Sequence, residues 1–118
     1  MQRACKDRWL DGAFLAAHFA DAKELGCSRL GWGDDEARRL AAALEHATAQ
    51  GALKALEKLD LGSNKIGDEG ARHLGDALAR GAAPELTHLG LEGMRLGDDA
   101  LQALQDARPD LDVRNYYQ

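Results

Sequence analysis

Four histidines, two cysteines and one acidic run are the places where chemistry would begin in this chain of 118 residues. His18, His46, His73 and His88 stand far apart, and none has a Cys or a second His at a metal-ligand spacing. Cys5 and Cys27 do not make a disulfide framework. The segment GCSRLG, from Gly26 to Gly31, sets a Cys beside a Ser, but the pattern implies no neighbouring His to activate either. No G-x-S-x-G elbow, phosphate-binding loop or H-E-x-x-H pair occurs. The run GDDE, Gly33 to Glu36, reads as a helix start, where Asp caps free N–H groups and the helix dipole favours negative charge. The expectation is therefore no catalytic, cofactor-binding or metal-ligating residue, no cofactor, and a protein that is not an enzyme.

The elements carrying these residues follow a pattern best seen from Leu56 to Leu78. Leu59 and Leu61 alternate as on a strand with one buried face, and Leu56 precedes them. Ala71, Leu74, Ala77 and Leu78 then take the spacing of one helix face. Between the two lies SNKIGDEG, rich in turn residues. A strand–turn–helix unit of this size cannot bury both apolar faces alone, so it predicts neighbours of its own kind. At a shift of thirty, Leu56, Leu59, Leu61, Ile66, Gly67 and Asp68 fall on Leu86, Leu89, Leu91, Leu96, Gly97 and Asp98. Gly51 falls on Gly81, both placed to end a helix with positive φ. At a shift of thirty-four, Ala22, Leu25 and Cys27 take the strand positions, and Trp32, Gly33 and Asp34 the corner. The four extra residues are expected inside a longer helix ending near Ala49. A partial fourth strand, DLDVRN, would place Leu111 and Val113 where Leu89 and Leu91 sit.

The motif L-x-x-L-x-L-x-x-N-x-I-G-D-E-G-A-x-x-L-x-x-A-L resembles the leucine-rich repeat in its ribonuclease-inhibitor-like subtype, over about residues 22 to 113. The resemblance implies an α/β fold: a short leucine-rich-repeat solenoid with parallel strands on the concave side and helices on the convex side. The expected division is an N-terminal capping helix over 1–21, repeats at 22–55, 56–85 and 86–113, and a C-terminal tail at 114–118. The family's corner asparagine survives only as Asn64; Leu30 and Met94 take the matching positions, so a continuous asparagine ladder is not expected.

The N-terminal segment reads as a helix with Trp9, Ala13, Ala16 and Ala20 on one face and Leu10, Phe14 and Ala17 beside them. With Phe19, its aromatics would cover the open end of the stack, which otherwise exposes core. Its basic start and short apolar run are interrupted by Asp7, Asp11 and His18, which argues against a signal peptide. No apolar stretch approaches the length of a membrane span. The net charge of −5 and the lack of a basic stripe disfavour nucleic acid. Cys27, in a strand position that is Leu in the other repeats, reads as a buried free thiol and favours a reducing intracellular compartment, the cytoplasm by default.

If the strand leucines point inward, their neighbours form the opposite face: Glu24, Gly26 and Ser28, then Lys58, Asp60 and Gly62, then His88, Gly90 and Glu92, extended by Asp110, Asp112 and Arg114. The candidate protein interface is Glu24, Lys58, Asp60, His88 and Glu92, with Tyr116 and Tyr117 in the tail. The expected function is a non-catalytic protein–protein interaction module, a small accessory or structural subunit of a larger, multi-subunit assembly. The alternative is a regulator, inhibitor or activator, of an enzyme such as a small GTPase or a nuclease, a role the resemblance brings with it.

Overall fold

The computed structural model describes residues 10–94 and 96–114. Helices and strands alternate along them: α1 (Gly12–His18), β1 (Glu24–Gly26), α2 (Asp34–Ala49), β2 (Lys58–Asp60), α3 (Asp68–Ala79), β3 (His88–Gly90), α4 (Asp98–Ala107) and β4 (Asp112–Arg114). The strands form one sheet in the order β1-β2-β3-β4, and every pair is parallel. Parallel neighbours need a long crossover, and α2, α3 and α4 supply it. Each of these helices packs on the next in sequence, and α1 packs on α2. The result is a layer of strands beside a layer of helices.

The core lies between the layers. Leu25, Leu59 and Leu89 stand in register across the sheet and are each at most 2% exposed. Cys27, Leu61 and Leu91 follow them, all buried. From the helices come Ala37, Leu40 and Leu44, then Ala71, Leu74 and Leu78, then Ala100 and Leu104. Each fully buried leucine contributes about 1.5–3 kcal/mol, so the repeat pattern is also the energetic pattern. The extra length of the first repeat lies in α2, which has 16 residues against 12 in α3. Four residues are close to one helical turn, so the apolar face keeps its direction. Gly51 and Gly81 follow α2 and α3 with φ of +86° and +98°, the left-handed conformation that ends a helix cheaply in glycine.

Two local expectations differ from the structure. The N-terminal helix is confined to Gly12–His18 among the described residues, and its buried side chain is Leu15, with Leu10 and Gly12 beside it. Ala13 and Ala17 are exposed, and Phe14 and Phe19 are half-buried. The close approach of α2 explains the choice of face: a Cβ on Gly12 would stand 2.5 Å from His46 Cβ, so the backbone at Gly12 packs directly on that helix. Trp9 lies outside the described residues. In the fourth strand, Val113 rather than Leu111 pairs with Leu89. The slip is two residues, which preserves the inward phase. Leu111 is buried in the turn before the strand.

The corners between strands and helices are joined across repeats by side chains. Asn64 is the one buried polar residue among the described residues, and it serves two corners. Its Nδ2 donates to Leu61 O in its own repeat (2.9 Å) and to Cys27 O in the preceding one (2.8 Å). Its Oδ1 accepts from Leu30 N–H (2.9 Å) and Trp32 N–H (3.1 Å). One asparagine therefore satisfies the first corner as well as its own, although Leu30 occupies the matching position there.

The recurrent Gly-Asp step does not rest on a backbone conformation reserved for glycine. Gly33, Gly67 and Gly97 have φ of −111°, −108° and −74°, open to any residue. What recurs is a cap between repeats. Asp34 Oδ1 accepts from the N–H groups of Gly67 (2.6 Å) and Gly70 (3.0 Å), at the start of the following helix. Asp68 Oδ1 likewise accepts from Gly97 N–H (2.7 Å). A Cβ on Gly97 would meet Asp68 Oδ2 at 2.9 Å, so glycine there makes room for the carboxylate. No repeat precedes α2 among the described residues, and Gly33 N–H donates instead to Glu36 Oε1 of the same helix start (2.8 Å).

Candidate functional site

The outer face of the sheet is built by the alternation of the strands. With the leucines of β1, β2 and β3 buried, their flanking residues turn to solvent in two rows fixed by the register. The first row runs Glu24, Lys58, His88, Asp112, and the second Gly26, Asp60, Gly90, Arg114. Glu92 follows β3. These residues line a groove of about 270 Å³ whose wall includes Glu24, Lys58, Asp60, His88, Glu92 and Arg114. The structure thus brings the five described residues of the expected interface onto one surface. It adds Arg114, which the alternation continued from Asp112 points to. Tyr116 and Tyr117 lie outside the described residues.

Charge on this face is unevenly paired. At one side His88 Nε2 lies 3.7 Å from Asp112 Oδ2, and Arg114 Nε lies 3.4 Å from the same oxygen. His88 Nδ1 also meets Thr87 Oγ1 at 2.9 Å. Glu24, Lys58, Asp60 and Glu92 form no ion pair among the described residues. Asp60 Oδ1 accepts from Gly62 N–H (2.9 Å), which holds the carboxylate over the groove. A point one bond above Gly90 Cα stands 2.9 Å from Glu92 Oε1 and 3.0 Å from Asp60 Oδ1. The two carboxylates therefore converge over a glycine floor, with the Lys58 side chain on the adjoining row.

Beneath the face lies Cys27, free and fully buried. Burial pushes its thiol pKa far above the ordinary 9.0, and the charge of Asp60 adds to the rise. It packs as a small apolar side chain and keeps its proton. His18 and His46 are exposed on α1 and α2. His73 is half-exposed, 3.9 Å from Glu69 on its own helix. No group of three His, Cys, Asp or Glu among the described residues is placed to hold a metal ion. No described helix is long and apolar enough to cross a membrane.

Parallel strands each followed by a helix, with leucines in register and a corner asparagine binding two rungs, define the leucine-rich-repeat class. The Leucine Rich repeat family model matches residues 53–75, which contain β2, Asn64 and the Gly-Asp step. Residues 53–75 thus match a leucine-rich repeat, and the chain as a whole has the fold of leucine-rich-repeat structures. Its fold is similar to that of the leiomodin-1 actin-binding site 2 (ABS2), with a TM-score of 0.72 and 16% identity over 95% of this chain and 62% of that one. It is also similar to the tropomodulin C-terminal domain of Caenorhabditis elegans, with a TM-score of 0.68 and 20% identity over 94% of this chain and 62% of that one. The chain thus spans 62% of the length of each of these structures. At such identities the likeness is one of fold. No curated protein matches the chain.

Proposed function

We propose that the chain is a non-catalytic protein–protein interaction module that engages its partner through the sheet face, as a small accessory or structural subunit of a larger assembly. The observation that carries this reading is the set of charges on that face without ion-pair partners among the described residues: Lys58 on one row, and Asp60 and Glu92 converging over Gly90. Charges without partners, carried on a fixed strand framework, favour a complementary protein surface and steer its approach. That leiomodin-1 carries an actin-binding site on the same fold supports a protein as the class of partner. In this reading repeats 22–55, 56–85 and 86–113 form the binding body, 114–118 is a tail, and α1, within 1–21, caps the first repeat. The free, buried Cys27 suits a reducing intracellular compartment, the cytoplasm by default.

The test is capture of partners by the full chain from its native source, compared with an Asp60→Lys, Glu92→Lys variant and an Arg72→Glu control on the helix side. A stoichiometric partner lost by the sheet-face variant and kept by the control supports the module. A partner that is itself a small GTPase or a nuclease, with its activity altered on binding, would favour the regulator. Equal capture by all three forms would remove the sheet face from the proposal.

A further inference from the structure

Among the described residues the sheet has two edges without a neighbouring strand, β1 and β4, and β4 is the one whose chemistry specifies an occupant. In the ladder, Asp112 N–H donates to Thr87 O (2.8 Å) and Leu91 N–H donates to Arg114 O (2.7 Å). Asp112 and Arg114 thus spend their backbone groups on β3. Strand alternation turns the N–H and C=O of Val113 the other way, toward the free edge. The next carbonyl back along that edge, Leu111 O, is already taken by Gln105 Nε2 (2.8 Å). The free edge therefore offers one donor and one acceptor on a single residue, flanked by an acid and a base.

Two strands of the sequence Asp-Val-Arg placed antiparallel about a two-fold axis at Val113 fit each other in both respects. The two Val113 residues face one another and exchange both N–H···O bonds, the hydrogen-bonded pair of an antiparallel ladder. Asp112 of each strand then lies opposite Arg114 of the other. Both side chains are about half exposed, at 52% and 50%, and their contact within the chain uses only Arg114 Nε and Asp112 Oδ2, which leaves Oδ1 and the outer guanidinium nitrogens for the facing strand. Opposite charges at facing positions stabilise a strand pair, and like charges destabilise it. The competing arrangement, in which β1 of a second copy continues the parallel order, sets Asp112 against Glu24 and is disfavoured by the same rule.

We propose that β4 is a self-complementary edge and that its partner is a second copy of this chain, joined as a closed antiparallel dimer. Half-buried Val113, Leu96 and Leu101 lie at this end of the core and supply apolar area to the contact. The strand is only three residues long, so the association is of the weak, concentration-dependent kind.

Sedimentation equilibrium of the full chain over a range of concentrations tests this. A reversible monomer–dimer equilibrium is expected. Asp112→Arg alone and Arg114→Asp alone should each weaken it by about tenfold or more, because both facing pairs become like-charged. Mixing these two variants should restore dimers, now heterodimeric, and the double exchange Asp112→Arg, Arg114→Asp should restore the homodimer. Circular dichroism of each variant confirms folding, which exposed substitutions should leave intact. A chain that stays monomeric at all concentrations, growth beyond a dimer, or single reversals that leave the dimer unchanged would overturn the proposal.

Discussion

Asn64 shows how much a single side chain can carry in this fold. Its amide closes two corners with four hydrogen bonds, all buried. Asn64→Ala leaves two N–H groups and two carbonyls to find other partners, so urea unfolding should show a loss of about 3 kcal/mol. Asn64→Asp should not rescue it, since a carboxylate has no donors for Cys27 O and Leu61 O. Cys27 makes the complementary case of a residue whose chemistry the fold suppresses. With Cys5→Ser as background, thiol reagents should leave Cys27 unlabelled until the chain unfolds. Its folded pKa stands above the unfolded 9.0, so its stabilising contribution is complete below pH 9 and is lost as the pH rises beyond it. Stability should therefore fall with pH above 9, by at most about 1.4 kcal/mol per pH unit from this group, and Cys27→Ala should fall less steeply.

Elements are coupled here through their ends. Each carboxylate of the cap ladder leaves its own helix start and reaches the start of the next, so one repeat completes the cap of its neighbour. The number of bonds sets the expected cost. Asp34→Ala removes two charge-assisted bonds and should cost about 2 kcal/mol, and Asp68→Ala removes one and should cost about 1. Asp35→Ala, which removes no such bond to the next helix, is the control. Thermal unfolding of the three variants gives the order directly. Gly70→Ala should also destabilise, because its Cβ would meet Asp34 Oδ1 at 2.7 Å and Ile66 Cγ2 at 2.8 Å. These interactions run through residues about thirty positions apart, so α2, α3 and α4 are expected to melt together.

At the scale of the molecule, the last repeat is tied to the one before it through Arg108. Pro109 bars the preceding residue from the helical region, so α4 ends and Arg108 takes an extended backbone. Its guanidinium turns back under the preceding repeat. It donates to Leu78 O (3.3 Å), Leu86 O (3.5 Å), Ala83 O (2.8 Å) and Ala82 O, carbonyls at the end of α3 and in the segment that leads to β3. Burial lowers its pKa from the ordinary value and the charge of Glu85 offsets part of this; an arginine remains protonated throughout. Arg108→Ala should destabilise the whole chain by about 2–3 kcal/mol in urea unfolding, and Arg108→Lys should recover little, since one ammonium cannot span four carbonyls. A full recovery by lysine would show that charge, not the planar fork, holds this end.

The repeats, the parallel α/β class, the extra turn in α2 and the five residues sharing the sheet face were all readable from the chain, because each rests on a local period. Alternation assigns faces within a strand, and the 3–4 spacing assigns them within a helix. The buried face of α1 was less readable, since Gly12 and Leu15 are chosen by contact with α2 rather than by their own spacing. The register of β4 escaped for a related reason: α4 is short, and only the turn through Arg108 and Pro109 sets where the strand meets β3. The Asp34 and Asp68 caps, the second corner of Asn64 and the reach of Arg108 join residues some twenty-two to thirty-seven positions apart. The sequence marks such residues as recurrent or polar, but which backbone group each one satisfies is settled only when neighbouring rungs stack and leave that group without water.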